Sequence, residues 1–141
     1  MLITGNEVEQ RTARNGIKRA ELLAFHYEKD LLAGIAAIKR PTEDYENLVF
    51  RKSKTDMLSE DYRLELGYAV TRENFRGHGI CSNLVKQLLQ RVPKNLYATT
   101  RSENTLMQRI LDRNGFKKTG SPYKGKLKRK EYFLQLSIRK Q

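Results

Sequence analysis

A strand pattern that runs into a glycine-containing turn and then directly into a helix is the feature that most limits the folds open to this chain. The strand is predicted over residues 62–70, and the helix over residues 80–92, where apolar residues recur every three to four positions. Pro93 ends the helix because proline has no amide proton to donate. A further strand is predicted over residues 96–100. Any fold for this chain therefore has a helix between two strands.

The rest of the pattern is weaker but consistent with one domain. A helix is predicted over residues 7–18, followed by two hairpin strands over residues 22–28 and 31–39. After the central elements, a second helix is predicted over residues 104–113 and two final strands over residues 116–119 and 131–138. Residues 42–61 are interpreted as a long connection that holds a short strand near residues 48–51, and residues 117–130 as the loop between the last two strands. No repeat or linker interrupts the pattern, so we expect a single α+β domain over residues 1–141.

The charge of the chain is strongly positive. The formal net charge is +12 and the isoelectric point about 10.0. A field of this sign concentrates polyanions such as nucleic acids and nucleotide cofactors, but it does not select among them. A solvated basic surface without a specific partner is the alternative interpretation.

The compartment is inferred from what the sequence lacks. No apolar run is long enough to span a bilayer, and the first residues do not form a signal peptide. Cys81 is the one cysteine, which excludes an internal disulfide and favours a cytoplasmic location. Cys81 and two distant histidines, His26 and His78, offer no metal-ligand spacing, so no metal is expected.

The turn before the second predicted helix has the chemistry of a phosphate-binding loop. It reads Arg76-Gly77-His78-Gly79-Ile80-Cys81. Its backbone N–H groups and the positive end of the helix dipole can surround a diphosphate, to which Arg76 adds a full charge. A side chain at Gly77 or Gly79 would hold the phosphate away from the backbone. On its own, a turn with two glycines is also compatible with a purely structural role.

With its flanking segments, this loop resembles the GCN5-related N-acetyltransferase (GNAT) superfamily. The family's loop reads Gln/Arg-x-x-Gly-x-Gly/Ala, and Arg76, Gly79 and Cys81 fall on those three positions. Its next motif has an asparagine about a dozen residues before a Gly-Phe pair, as Asn104 and Gly115-Phe116 do here. The resemblance implies a mixed, mostly antiparallel twisted sheet, flanked by helices, with a V-shaped splay between two central parallel strands. It also implies acetyl-CoA as cosubstrate and an N-acetyltransferase activity toward an amine.

The resemblance further implies where acetyl-CoA binds. The splay accepts the pantetheine arm, which would contact backbone groups on one wall and Asn104 on the other. The cofactor-binding residues expected on this basis are Tyr68, Ala69, Val70, Arg76, Gly77, His78, Gly79, Ile80, Cys81 and Asn104. Because Cys81 begins a helix, its thiolate form is expected to be favoured.

Two residues are expected to act in catalysis. Relatives often have a glutamate at the position of Glu65, which would take the proton from the amine as the base. The alternative is that Glu65 is a solvated surface residue. His26 is the second candidate for the base. Many relatives have a tyrosine acid where this chain has Leu111. Tyr97 is the favoured substitute, with Tyr68, Tyr123 or water as alternatives.

The acceptor amine is not identified by the sequence. Few residues precede the first hairpin strand, and the cation-rich residues 117–130 suit an anionic or polymeric acceptor such as a nucleic acid or an acidic protein. The alternative is a solvated loop whose lysines protect a sheet edge. A second hypothesis is a non-catalytic domain of the same fold that binds nucleic acid or a protein through its basic surface. A monomer and a homodimer are both compatible with the sequence.

Overall fold

The computed structural model describes residues 20–127 and 130–141. Within them, six strands occur, which are β1 (Ala20–Glu28), β2 (Leu31–Lys39), β3 (Leu64–Thr71), β4 (Leu96–Arg101), β5 (Lys117–Leu127) and β6 (Lys130–Arg139). The α-helices of this part of the chain are α1 (Glu43–Ser53), α2 (Ile80–Arg91) and α3 (Thr105–Arg113). Short 3-10 helices lie at Ser59–Asp61 and Glu73–Phe75. The helix predicted over residues 7–18 lies outside the described residues.

The chain divides into two compact units, the first of residues 1–40 and 66–93. In its described part, β1 and β2 form an antiparallel hairpin, and β2 neighbours β3. Helix α2 packs on β1 and β2. The contact is close because Gly34 has no side chain: a β-carbon there would lie 2.8 Å from Cγ2 of Ile80. This close contact fixes the start of α2 against β2.

The second unit consists of residues 41–65 and 94–141, and its strand order is β3-β4-β6-β5. The start of β3 pairs in parallel with β4, at Leu64 with Leu96 and at Glu65 with Tyr97, whereas β4 with β6 and β6 with β5 are antiparallel. Helix α1 packs on β5 and β6. A core cluster of this unit joins residues of α1, β4, β5 and β6 with Tyr62, which follows the 3-10 helix Ser59–Asp61; its members are Val49, Phe50, Tyr62, Tyr97, Tyr123 and Leu136. The predicted α+β class, with a mostly antiparallel sheet and one central parallel pair, is confirmed.

The prediction of a long connection with a short strand at residues 48–51 is wrong, because α1 occupies Glu43–Ser53. Thr42 caps this helix by accepting a hydrogen bond from the Tyr45 amide at 3.2 Å, and acidic residues fill its first turn. The buried side chains are Glu46, Val49, Phe50 and Ser53. Their spacing is helical, but two of the four are polar, so apolar periodicity alone did not show the helix.

The interpretation of residues 117–130 as a loop is also wrong, because β5 extends over Lys117–Leu127 and pairs with β6. Glycine, proline and lysine in this segment are typical of a loop. The strand accommodates Gly120 and Pro122 in an irregularity, since the register with β6 shifts between Thr119 and Tyr123. An irregular strand therefore takes the place of the expected loop.

Gly120 is a position where we expect a large loss of stability on substitution. Its φ is +68°, and a β-carbon would lie 2.3 Å from the backbone oxygen of Ser53 in α1. We expect Gly120→Ala to lower the free energy of unfolding by roughly 2 kcal/mol, from strain and forced displacement of α1. Unfolding in denaturant measures this change in the free energy of unfolding. The control is Gly115→Ala, with φ +85° but no atom closer than 3.7 Å; equal losses in the two variants would show that contact with α1 is unimportant.

Candidate active site

The loop between β3 and α2 is anchored by Arg72. Its backbone N–H donates to the Ala33 carbonyl at 2.8 Å, and its Nε donates to the Leu32 carbonyl at 2.6 Å. A 3-10 turn follows, closed by the Phe75 N–H on the Arg72 carbonyl at 2.9 Å. The sequence analysis did not identify Arg72, because an arginine before a turn carries no signal of a backbone partner about forty residues away.

The two glycines of the loop adopt conformations that favour glycine. Gly77 has a φ of +86° and Gly79 a φ of +74°, and a β-carbon added at either residue would meet no heavy atom within 4 Å. Residues 76–79 are exposed. The loop is therefore open to solvent, with space directly above its backbone. The prediction that the chain turns here and opens into a helix is confirmed.

The first turn of α2 follows directly on the loop. The first helical bond runs from the Asn83 N–H to the Gly79 carbonyl at 3.0 Å, so the first-turn N–H groups precede the intrahelical ladder. Gly79 supplies no side-chain cap, and the first turn of α2 holds no acidic residue. Exposed Arg76 lies beside it, its Nε donating to the Thr71 carbonyl at 3.2 Å. Free space at the two glycines, a helix dipole and an arginine together fit a diphosphate.

The expectation of a reactive Cys81 thiolate is wrong. Burial of the side chain raises the pKa of the Cys81 thiol to about 11. Desolvation of the thiolate outweighs the helix dipole, whose effect at a single residue is smaller. At neutral pH Cys81 is thus a neutral, compact side chain at the base of the loop.

We therefore expect Cys81 to react slowly with iodoacetamide. At pH 7.5 a thiol of pKa about 11 has about 300-fold less thiolate than an ordinary thiol of pKa about 8.5. The rate should rise about tenfold per pH unit up to about pH 10. Mass spectrometry measures alkylation, and the urea-unfolded chain, in which Cys81 is solvated, is the control. Equal rates in the folded and unfolded chain would contradict the burial of this thiol.

The other residues expected to hold the cofactor lie on β3 and at the start of α3. Tyr68, Ala69 and Val70 belong to β3, and their contact with a pantetheine arm stays a prediction. Asn104 is the N-cap of α3, where its Oδ1 accepts from the Met107 N–H at 3.1 Å. This cap uses one of the two acceptor positions of the Asn104 amide oxygen and does not involve its Nδ2 group, which can donate to a cofactor.

Glu65 and Tyr97 are brought together in the second unit. They are register partners on β3 and β4, with 3% of Glu65 and 0% of Tyr97 exposed. The alternative of Glu65 as a solvated surface residue is therefore wrong. Tyr123 of β5 belongs to the same core cluster as Tyr97. We call Glu65, Tyr97 and Tyr123 the Glu65 cluster.

Electrostatics confirm that the three side chains of the Glu65 cluster influence one another. Burial, followed by the charge of Glu65, raises the pKa of Tyr97 far above its ordinary value, and the same two causes raise the pKa of Tyr123. Both phenols are therefore protonated at neutral pH. Neither hydroxyl has a hydrogen-bond partner within the described part of the chain, although both are buried. The three side chains therefore influence one another electrostatically, but neither hydroxyl is joined to Glu65 by a hydrogen bond.

Several other candidate residues are less suited to proton transfer or metal binding. Leu111 is buried in α3, where it cannot supply a proton. His26 Nε2 lies 2.9 Å from Glu28 Oε1 on the same strand, and His78 is exposed in the loop. Across residues 20–127 and 130–141, no group of three or more histidine, cysteine or acidic side chains is placed to bind a metal ion. No helix in the same ranges is long and apolar enough to cross a bilayer.

Several solved structures share this fold. The IAA acetyltransferase from Bacillus cereus matches with a TM-score of 0.67 at 12% identity, over 99% of this chain and 89% of that one. The ribosomal-protein-alanine N-acetyltransferase from Brucella melitensis matches with a TM-score of 0.62 at 22% identity, over 84% and 68%. YncA from Salmonella typhimurium, solved with its cofactor acetyl-CoA, matches with a TM-score of 0.63 at 16% identity. That match covers 84% of this chain, which spans only 63% of the length of YncA.

The sequence places the chain more specifically. No curated protein matches it. The family model described as an acetyltransferase (GNAT) domain matches residues 8–117, which is most of the chain and includes the β3–α2 loop, Glu65 and Asn104. The solved structures are too distant in sequence to show more than the fold, but the family match does not depend on them. By this match, the chain belongs to the GNAT acetyltransferase family.

Proposed function

We propose that this chain transfers the acetyl group of acetyl-CoA to an amine nitrogen. The observation that carries the proposal is the exposed turn at Gly77 and Gly79, which opens onto the uncapped positive end of α2. In a member of the GNAT family, such a turn is suited to the diphosphate of coenzyme A. The basic charge of the chain supports an anionic cosubstrate in the same way.

In this proposal, most of the residues that bind the cofactor belong to the first unit. The amides of residues 77–81 donate to the diphosphate, and Arg76 adds a charge-assisted bond. Arg72 keeps the loop in place through its two bonds to β2. The backbone of Tyr68, Ala69 and Val70 and the side chain of Asn104 are proposed to bind the pantetheine arm.

The chemical step is a direct attack on the thioester. The amine nitrogen bonds to the carbonyl carbon, the carbon–sulfur bond breaks, and coenzyme A leaves as a thiolate. The proton lost by the amine goes to the carboxylate of Glu65, directly or through water. Donation from backbone N–H groups near Val70 would stabilise the oxyanion that forms on the carbonyl oxygen.

Protonation of the leaving thiolate is proposed to fall to Tyr97. Leu111 has no proton to give. The raised pKa of Tyr97 makes it a weaker acid than a free phenol, so its proton would pass to the thiolate only as Glu65, which then holds the amine proton, returns that proton to the phenolate. Tyr123 is the alternative, since it carries a protonated phenol in the same Glu65 cluster. Because a free thiol has a pKa of about 8.5, the thiolate leaves readily near neutral pH, and the acid adds less than the base.

Two measurements test the proposal. Acetyl-CoA at 100 times its Kd should stabilise the fold by about 2.7 kcal/mol in thermal melts. Release of coenzyme A thiol is then followed with small amines, peptides, tRNA and DNA, and with hydroxyl acceptors of similar shape as controls for nitrogen specificity. Absence of any thermal shift would contradict the cofactor assignment and favour a non-catalytic domain. Release with hydroxyl acceptors but not with amines would contradict N-acetyl transfer.

A further inference from the structure

A cavity of about 540 Å³ lies in the second unit, between α3 and the strands β5 and β6. Its apolar part consists of two side chains that are each 2% exposed, Leu111 and Phe116. Three exposed cations, Arg109, Lys117 and Lys118, also line it. The cavity contains none of the residues of the β3–α2 loop or of the Glu65 cluster.

The cations of this cavity belong to the most basic part of the sequence. Residues 109–141 contain eleven lysines and arginines against two acidic residues, which is nine of the twelve net positive charges of the chain. One of the two acidic residues, Asp112, lines the cavity itself. The cavity lining itself has three of these cations against one acidic residue, which favours an anionic ligand there.

The polar groups of the cavity include acceptors as well as donors. Gln108 donates through Nε2 to the backbone oxygens of Arg101 at 3.0 Å and Ser102 at 2.8 Å, which fixes its amide and leaves Oε1 as its acceptor. The Asp112 carboxylate is a second acceptor, and Thr105 and Ser137 add hydroxyls. Asp112 repels any anionic group, phosphate or carboxylate, so the part of the ligand that faces it has to be a hydrogen-bond donor. A nucleobase has exocyclic amines that bond to carboxylate and amide oxygens.

We propose that this cavity binds one nucleotide of a single-stranded nucleic acid. Leu111 and Phe116, which are buried, would close the cavity beneath the base, whose edge would face Gln108 and Asp112. The phosphates would face the three cations. The volume is within the range of sites for ligands of this size. A single strand is required because a concave site takes an unstacked base, whereas a duplex keeps its bases paired and stacked. This binding does not depend on the proposed acetyl transfer.

The first test measures binding without acetyl-CoA. Fluorescence anisotropy of labelled 12-nucleotide single strands, one RNA and one DNA, should show saturable binding that weakens with salt. The stronger of the two identifies the sugar that the site prefers. A matched strand without bases should bind at least about fivefold more weakly, since a bound base contributes roughly 1 kcal/mol or more. Equal binding of the strand without bases would overturn the proposal, as would absence of binding at low salt.

The second test uses matched charge reversals. Lys117→Glu with Lys118→Glu should weaken binding at least about tenfold and reduce the salt slope by about 1.4, as expected for two lost phosphate contacts on a single strand. The control, Lys52→Glu with Lys94→Glu, reverses two other exposed lysines of the second unit and should change Kd less than about threefold. Circular dichroism melts verify that both variants fold. Equal weakening in the two variants would overturn the site in favour of a diffuse field.

Competition separates this cavity from the cofactor site. Saturating acetyl-CoA should leave the labelled strand bound, and polyglutamate should displace it less effectively than unlabelled strand of equal charge. Displacement by acetyl-CoA would overturn the proposal, because the cavity would then belong to the cofactor site. Displacement by polyglutamate as effective as by unlabelled strand would overturn it in favour of an acidic protein. Loss of thermal stabilisation by acetyl-CoA alone would contradict the proposed transferase and leave this binding intact.

Discussion

Gly79→Asp is expected to weaken acetyl-CoA binding by about 100-fold. Gly79 is the N-cap of α2, and nothing occupies the space where its β-carbon would be. An aspartate there would bond to first-turn amides itself and face the diphosphate with a like charge. At about 4 Å and an effective dielectric constant near 20 the repulsion is about 4 kcal/mol, which solvent screening at this exposed loop reduces. Isothermal titration with acetyl-CoA measures the effect.

Gly79→Asn is the matched control for charge. Asparagine has the shape of aspartate and, like it, tolerates the left-handed backbone of Gly79, whose φ is +74°. We expect it to weaken binding less than about tenfold, through lost space alone. An unchanged Kd in the aspartate variant would remove the loop from the diphosphate site. Equal losses in both variants would show that shape, and not charge, governs the loop.

The loop could be predicted from the sequence because its geometry is local. Gly77 and Gly79 are placed between a strand and a helix by a dozen consecutive residues, and their positive φ angles require no distant partner. The same reasoning holds for α3, whose Asn104 cap and terminal Gly115 lie within the segment itself. Local turn and cap residues were therefore sufficient to predict the elements that contain the family motifs.

Helix α1 could not be predicted from apolar periodicity because its buried face depends on distant residues. Glu46 is 1% exposed, and its Oε2 accepts from Arg63 Nη1 at 2.9 Å, seventeen residues later in the chain. In a sequence, a glutamate predicts an exposed position, because its buried ion-pair partner is not visible there. The sequence signal for this helix lies at its two ends, where Thr42 precedes an acidic first turn and basic residues fill the last turn.

The surroundings of Glu65 depended on pairing over still longer distances. Tyr97 reaches it through the parallel register of β3 with β4, and Tyr123 comes from β5, which the sequence analysis did not recognise as a long strand. The cavity of the second unit likewise joins α3 with two strands. Residue type indicated which groups could do chemistry, but only the strand pairing showed which of them meet.

Glu65→Gln is expected to lower kcat by about 10²- to 10⁴-fold while changing the Kd of acetyl-CoA less than about threefold. Glutamine matches glutamate in shape in this buried position but cannot take a proton from the amine. Without a base, only the neutral amine attacks, so the variant's rate should rise about tenfold per pH unit below the pKa of the amine used in the assay. Single-turnover thiol release at several pH values measures both effects.

Two further observations distinguish a base from a structural residue. Removing the Glu65 charge changes the electrostatic surroundings of Tyr97 and Tyr123, since that charge contributes to raising the pKa of both, and the 13Cζ chemical shifts of the two rings at neutral pH measure the change. The control Glu43→Gln removes a carboxylate of the same unit whose side chain is 75% exposed, and its rate should match the original chain. If Glu65→Gln kept the full rate at neutral pH while the chemical shifts of the two tyrosines changed, the charge would be near the phenols but outside the reaction. The amine proton would then leave through water or another residue, because a buried carboxylate in the proton path cannot be neutralised without a loss of rate.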